Sequence, residues 1–241
     1  MSERWLVCID DTDNDESIGT GKLARWLGAH LHERGLIEGE QSVTRHQLLV
    51  HPDIPYTSHN SSACIEARGE ADASALLDAA HDYLKLHWHE GANPGLCVVR
   101  ADAVPAALVE IARSAKREVL QLAEFDAAVR DMELALWSGG ETGQGRIGAC
   151  SGAALRSTGD DGRFIGLQGI RELEGRIRVK DICARSGVEA VRLEGGDDLD
   201  GEAVIETRDW VRPSLIDGRA VFVVREDAGR LVPAERRSKD D

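Results

Sequence analysis

The sequence predicts an α/β fold whose second lobe is α+β. A short apolar run over residues 5–9 reads as a buried strand. It is followed by apolar residues at helical spacing, which predicts an amphipathic helix over residues 20–34. Strand and helix patterns then alternate through the first half of the chain, whereas strand patterns dominate its end.

The remaining elements follow from the same periodicities. Strands are predicted at 46–51, 62–68, 95–100, 188–193, 203–208 and 219–224, and helices at 71–88, 104–135 (interrupted near 123–126) and 179–187. A glycine-rich segment occupies 138–152, and a hairpin is predicted over 155–167. These patterns suggest an N-terminal α/β part over 1–135, a second α+β part over 136–233, and a disordered tail over 234–241.

Composition excludes several classes of protein. The 241 residues are 42% hydrophobic, which is typical of a globular chain, and no apolar run approaches the length of a membrane span. Five widely spaced cysteines without a CxxC pair predict reduced thiols in the cytoplasm rather than disulfides or zinc. The net charge of −14 does not favour a polyanionic partner, although Arg171, Arg176, Arg178 and Lys180 leave room for a local basic face.

The segment VCIDDTDNDESIGTGKL, residues 7–23, carries the strongest chemical signal. Asp10, Asp11 and Asp13 follow the first strand directly, and crowded carboxylates repel one another unless a cation or a proton intervenes. A helix cap or an Asx-turn needs only one such residue. Carboxylate oxygens also suit Mg²⁺, which takes one or two carboxylates plus phosphate oxygens and water. We therefore predict that the three aspartates bind magnesium.

The turn after these aspartates is suited to phosphate. Gly19 and Gly21 can expose backbone N–H groups at a helix N-terminus, so ATP is expected at Gly19, Thr20, Gly21 and Lys22. The stretch is not a P-loop, because Glu16 replaces the first glycine and Leu23 replaces the Ser or Thr.

Three other motifs leave alternatives open. GQGRIG at 143–148 matches GxGxxG but follows no strand, so it is either a plain loop or a loop lining a nucleotide pocket. The polar stretch 54–64 is either a turn or the lining of a substrate site. HWH at 87–89 lies at a helix end without nearby ligands, which favours surface histidines over a metal pair.

Four short motifs, in order, resemble one family. They are IDDTD at Ile9–Asp13, IPY at Ile54–Tyr56, NPG at Asn93–Gly95 and GRIGA at Gly145–Ala149. Together they resemble the archaeal tRNA-isoleucine agmatidine synthetase family over residues 3–225, the enzymes that modify the anticodon cytidine of an isoleucine tRNA.

The resemblance implies a kinase-like domain without a P-loop beside a ferredoxin-like domain, with ATP and Mg²⁺ as cofactors. It implies catalytic roles for Asp10, Asp11 and Thr20, with Asp13 as a further metal ligand. It also implies nucleotide contacts from Gly145, Arg146 and Gly148. In the family, phosphate from ATP activates a cytosine carbonyl, and the amine of agmatine then displaces that phosphate.

The acceptor is the least constrained part. Full-length relatives continue into an OB-fold domain and a zinc ribbon that bind tRNA, whereas this chain is acidic and lacks zinc cysteines. We therefore expect a small-molecule acceptor near His59, Asn60 and Ser61, and we expect nucleic acid to be a doubtful partner. The alternatives are a tRNA-cytidine ligase with a separate RNA-binding partner and a non-catalytic nucleotide-binding protein.

Overall fold

The computed structural model describes residues 2–14, 18–54, 60–207 and 210–234. The chain forms two compact units, Met1–Ile165 and Gly166–Asp241. Within the described residues, no helix has both the length and the apolar character needed to cross a membrane.

The first unit is built on an antiparallel sheet with helices on both faces. Its strands are β1 (Glu3–Asp10), β2 (Glu38–Gln47), β3 (Ser61–Gly69), β4 (Gly95–Arg100), β5 (Ala135–Ser138) and β6 (Arg163–Gly166). Its helices are α1 (Thr20–Glu33), α2 (Ala73–His87), α3 (Ala106–Ser114), α4 (Leu122–Val129) and α5 (Gly145–Ser157). The strands lie in the order β5-β4-β1-β3-β2-β6, so β1 is central and is paired on both sides.

Strand β1 shows why its sequence is continuously apolar. Its side chains alternate between two hydrophobic cores, and both cores are closed to solvent. Val7 and Ile9 face the core formed with α1 and α2, whereas Leu6 and Cys8 face the core formed with α3, α4 and α5. By this alternation, the side chain of Asp10 is directed toward the face that α5 covers.

The second unit is mostly β-structure with a small core of its own. Its elements are β7 (Gly175–Arg178), α6 (Val179–Arg185), β8 (Ala190–Leu193), β9 (Val204–Thr207), β10 (Ser214–Ile216), β11 (Arg219–Asp227) and β12 (Arg230–Pro233). The strands lie in the order β10-β11-β12-β9-β7, and β8 pairs in parallel with β11.

The mixed α/β character predicted from the sequence is confirmed, but its arrangement differs in detail. The β-α-β-β-α-β order typical of a ferredoxin-like plait occurs in the first unit, as β1-α1-β2-β3-α2-β4. The described part of the second unit contains a single helix, so a ferredoxin-like second lobe is not confirmed. The chain divides after Ile165, whereas the sequence predicted a boundary at 135/136. Two elements beyond residue 135 belong to the first unit: β5 pairs with β4, and α5 packs against β1, β3 and β4.

The glycine-rich segment is the largest departure from the sequence prediction. Residues 145–157 form helix α5, where a loop and part of a hairpin were predicted. Gly145, Gly148 and Gly152 lie on one face of this helix, and a Cβ on any of them would overlap the sheet or the chain beside it. Glycine here allows close packing between helix and sheet. The tail beyond residue 234 lies outside the described residues.

Candidate active site

The end of β1 places the first two aspartates differently. Asp10 is the last residue of the strand and is 9% exposed. Asp11 adopts a left-handed backbone conformation with φ of 51°, which is uncommon for a residue other than glycine. This conformation ends the strand and turns the chain toward Thr12 and Asp13.

The loop after β1 is linked to helix α1 by a chain of hydroxyl groups. Thr12 Oγ1 donates to Thr20 Oγ1 at 3.0 Å, and Thr20 Oγ1 donates to Asp13 Oδ1 at 2.9 Å. Thr12 and Thr20 are both buried. The Thr20 hydroxyl is therefore fixed beside a carboxylate that can accept its proton.

The N-terminus of α1 has the features of an anion site. Gly19 is its N-cap residue and makes no side-chain capping hydrogen bond, and the first turn contains no acidic residue. An uncapped N-terminus presents N–H groups and a partial positive charge. In α1 the N–H of Lys22 donates to Gly19 O at 2.9 Å, and in α5 that of Ile147 likewise donates to Gln144 O at 3.0 Å, but in α5 the N–H of Gly145 also donates to Asn93 O at 3.0 Å. The first turn of α1 is thus the better phosphate site.

The carboxylates at the end of β1 are electrostatically strained. Burial and the neighbouring Asp11 carboxylate raise the pKa of Asp10 to about 8. Burial also raises the pKa of Asp11, although a hydrogen bond with the Gln144 side chain opposes this. Without a nearby cation, Asp10 therefore holds a proton near neutral pH.

Helix α5 closes over Asp10 through a glycine. A Cβ on Gly148 would lie 1.7 Å from Asp10 Oδ2 and 2.5 Å from its Cγ. No residue other than glycine fits at position 148 without displacing the carboxylate. The match to GxGxxG thus reflects close packing against the acidic residue rather than a dinucleotide loop.

These residues converge on one cavity of ≈ 230 Å³ in the first unit. Of the predicted site residues, the cavity is lined by Asp10, Asp11, Asp13, Gly19, Thr20, Gly21, Asn60, Ser61, Gly145 and Gly148. The cavity is also lined by Ile54, Ser62 and Ala63 from the polar stretch 54–64 and by Gln144 and Ile147 from the stretch 143–148, two segments for which a pocket lining was one of the alternatives. The lining residues that sequence reasoning missed are Arg45, Leu48, Asp53, Ala115, Glu118, Val119 and Leu120. The predicted acidic motif, glycine turn and polar loop therefore share one cavity.

Arg45 is the most informative residue missed from the sequence. It is the one basic side chain among the described residues that line the cavity, and its Nε donates to Ser61 Oγ at 2.8 Å. Ser62, also in the lining, has a buried hydroxyl for which the described residues provide no hydrogen-bond partner. Arg45 reaches the cavity because β2 pairs with β3, and a single sequence does not reveal that pairing.

Three predicted site residues are not seen to line the cavity. The Lys22 ammonium lies 4.8 Å from the centroid of the Trp26 ring. The Arg146 guanidinium makes two hydrogen bonds to Asp126, at 2.8 and 2.7 Å. His59 lies outside the described residues. Their predicted contacts with nucleotide or substrate stay predictions.

Residues 2–14, 18–54, 60–207 and 210–234 contain no group of three or more His, Cys, Asp or Glu side chains arranged to hold a metal ion. The expectation that Asp10, Asp11 and Asp13 all bind one ion therefore stays a prediction. Two carboxylates at the end of a strand still suit Mg²⁺, which completes its coordination with phosphate oxygens and water. Because the pKa of Asp10 is raised, its ionised form is disfavoured, and a bound Mg²⁺ ion would stabilise that ionised form.

Solved structures similar to this chain include enzymes that act on tRNA. The chain is similar to a tRNA fluorescent labeling enzyme, at 26% identity and a TM-score of 0.53 over 63% of this chain and 36% of that one. It matches apo TiaS, an isoleucine-tRNA agmatidine synthetase, at 25% identity and a TM-score of 0.53 over 63% of this chain and 35% of that one. This chain resembles TiaS. The resemblance inferred from the four motifs is confirmed.

The likeness to TiaS has clear bounds. This chain spans little more than a third of the length of the solved structures it matches. No protein-family model matches the sequence, and neither does any curated protein. TiaS has been solved in a complex with its isoleucine tRNA and ATP, and in another with that tRNA, AMPCPP and agmatine.

These complexes correct one prediction. The expectation that nucleic acid is a doubtful partner is wrong, because the protein that this chain resembles is solved bound to tRNA. That expectation gave the net charge of −14 more weight than the possibility of a local basic face. Net charge sets the average potential, whereas binding depends on the local face.

Proposed function

We propose that this chain is an ATP- and magnesium-dependent enzyme of kinase or ligase type that activates an acceptor group on a nucleic acid by phosphoryl transfer. The observation that carries the proposal is the convergence of Asp10, Asp11 and Thr20 with the uncapped N-terminus of α1 on one cavity. The likeness to TiaS, solved with both ATP and tRNA, supports the choice of donor and acceptor.

The nucleotide half of the cavity is formed by α1 and the end of β1. The N–H groups of the first turn, around Gly19 and Gly21, bind the phosphates. Asp10 and Asp11 hold the magnesium ion, which when bound neutralises phosphate charge and orients the terminal phosphoryl group. Asp13 is used differently, because it already accepts the hydrogen bond of Thr20.

Thr20 is the residue nearest to chemistry in this arrangement. Its hydroxyl is buried, donates to Asp13 and accepts from Thr12. A hydroxyl held beside a carboxylate can either orient the terminal phosphate or lose its proton to the carboxylate as it becomes a nucleophile. In both roles Asp13 acts through Thr20, and loss of either residue reduces transfer.

The acceptor half lies around the start of β3. Arg45 and Ser61 present a cation and a hydroxyl, Ser62 also contributes to the lining, and Leu48 and Val119 add apolar surface. We assign Arg45 to stabilising the negative charge that builds on the phosphoryl group during transfer. Replacing Arg45 with Lys would lose the planar fork and lower turnover, while ATP affinity would change less.

The five cysteines support a cytoplasmic location for this activity. All are free thiols, and four of them are buried. Burial is the main cause that raises the pKa of Cys8, which keeps the thiol protonated and unreactive. Free thiols are typical of a reducing compartment.

Calorimetric titration with a non-hydrolysable ATP analogue, with and without Mg²⁺, tests the proposal. Asp10→Asn and Asp11→Asn should abolish the magnesium-dependent part of binding. Asp78→Asn is the matched control, because Asp78 is exposed on α2 and does not line the cavity. Wild-type affinity in both cavity variants would overturn the assignment. Tight binding without transfer to any RNA would overturn the nucleic-acid acceptor and leave a small-molecule acceptor or a non-catalytic protein.

A further inference from the structure

The outer face of α1 and α2 carries a row of rings and cations that the proposed chemistry does not use. We define it as the aromatic stripe, formed by Lys22, Trp26, His30, Tyr83 and His87. Trp26 is 42% exposed, one of the few large apolar side chains with such exposure in the described chain. Lys22 is also exposed, and the other three are half-buried.

The members of the stripe are neighbours along and between α1 and α2. The Lys22 ammonium lies 4.8 Å from the Trp26 ring centroid. Trp26 and His30 are one helical turn apart on α1 and therefore neighbours on its surface. The His30 and Tyr83 ring centroids are 4.6 Å apart, and those of Tyr83 and His87 are 4.2 Å apart. The result is a continuous row across two helices.

The stripe adjoins the candidate active site at both ends. Lys22 directly follows Gly21, which lines the cavity. After His87 the chain continues to His89, whose N–H donates to Thr12 O at 3.3 Å in the loop that carries Asp13. From Lys22 to His30 the helix rises about 12 Å, the distance spanned by a few nucleotides.

The charge of this region differs from that of the chain. Residues 20–34 contain three cations and one carboxylate, and residues 73–89 contain one cation and two carboxylates. The whole chain, by contrast, carries a net charge of −14. Trp26 is flanked by Lys22 and Arg25, and residues 20–34 and 73–89 together carry four cations and three carboxylates. Rings beside cations bind single-stranded nucleic acid, since bases stack on rings and cations pair with phosphates.

We propose that the aromatic stripe binds a single-stranded segment of nucleic acid and leads it to the cavity, with a base stacked on Trp26. The proposal rests on the proposed nucleic-acid substrate and names the surface that holds it. A local excess of cations over carboxylates along the two helices would let an acidic chain bind a polyanion there.

The test is fluorescence anisotropy with a fluorescein-labelled single-stranded RNA of mixed sequence, about 12 nucleotides long, at about 50 mM salt. Trp26→Ala should weaken binding about tenfold, which corresponds to about 1.4 kcal/mol. Trp26→Phe keeps a ring and should stay within about threefold of wild type. The control is Leu86→Ala, since Leu86 is 80% exposed on α2 but has no ring.

The outcomes separate the stripe from the proposed function. Equal RNA affinity in Trp26→Ala and wild type would overturn the stripe and leave the enzyme proposal standing. Binding of the ATP analogue should be unchanged in Trp26→Ala, and its loss there would also count against a role restricted to nucleic acid. No RNA binding by the wild type at low salt would overturn both the stripe and the nucleic-acid acceptor.

Discussion

Gly148→Ala tests how closely α5 must approach the acidic motif. The added methyl group would lie 1.7 Å from Asp10 Oδ2, 2.5 Å from Cγ and 3.1 Å from Cβ. An ordinary carbon–oxygen contact needs about 3.3 Å, so the carboxylate must move by about 1.6 Å. Rotation of the Asp10 side chain does not relieve the overlap, because the Asp10 Cβ also lies only 3.1 Å from the added methyl group. This Cβ is held in place by the backbone of β1, which is paired with β4.

The cost can be worked from two opposing terms. Overpacking in a close-packed interior costs about 1–3 kcal/mol. Replacing a helical glycine with alanine returns about 0.5–1 kcal/mol. The net loss of about 0–2.5 kcal/mol should lower the melting temperature by up to about 10 °C. Because misplacing a reacting group by about 1 Å can cost about 10²-fold in rate, phosphoryl transfer should fall by about that factor, and affinity for Mg²⁺ and the ATP analogue should also fall.

Gly28→Ala is the matched control. It also adds one methyl group to a buried helical glycine, but the nearest atom is the flexible end of Gln41, at 3.0 Å. This variant should be as stable as wild type or up to about 1 kcal/mol more stable, with unchanged nucleotide binding. Thermal unfolding and calorimetry measure both quantities. Wild-type nucleotide affinity in Gly148→Ala would refute the placement of Asp10 beneath α5.

Three further predictions follow from the contacts. Because the pKa of Asp10 is raised to about 8, binding of Mg²⁺ and the ATP analogue near pH 7 should release a proton. Calorimetry should show this release as a binding heat that depends on the buffer, and the buffer dependence should be absent in Asp10→Asn. Arg146→Ala and Asp126→Ala should lower stability alike if their ion pair is only structural, whereas selective loss of nucleotide binding in Arg146→Ala would show a ligand contact. Burial lowers the pKa of His46, so as pH falls below about 6.5 the unfolded chain takes up a proton before the folded one does. The stability advantage of wild type over His46→Gln should therefore shrink in acid, and a constant advantage in denaturant unfolding across that range would contradict this.

The central strand and its acidic end were predictable from the sequence, because they are local signals. Residues 5–9 are apolar on both faces, and Asp10 and Asp11 follow them without a break. The strands beside β1 are antiparallel, so this site is not the ligand-binding edge of a parallel sheet. The cavity arises instead because α1 and α5 both begin beside the end of β1.

The parts that sequence reasoning missed depend on long-range pairing. Strand β2 is polar over Glu38–Ser42, so its pattern resembled a loop, and the predicted strand at 46–51 was placed too late. Its true register pairs Arg45 with Ala63 and Gln47 with Ser61, and this brings Arg45 to the cavity. Helix α5 was missed because glycine lowers helix propensity, although the spacing of Gly145, Gly148 and Gly152 is itself helical.

A structure with Mg²⁺ and a non-hydrolysable ATP analogue bound tests the central claim most directly. The account predicts one metal ion held by Asp10 and Asp11, the phosphates at the first turn of α1, and the terminal phosphate within hydrogen-bonding distance of Thr20. A nucleotide bound elsewhere on the chain, or a triphosphate whose ion does not touch Asp10 or Asp11, would contradict it.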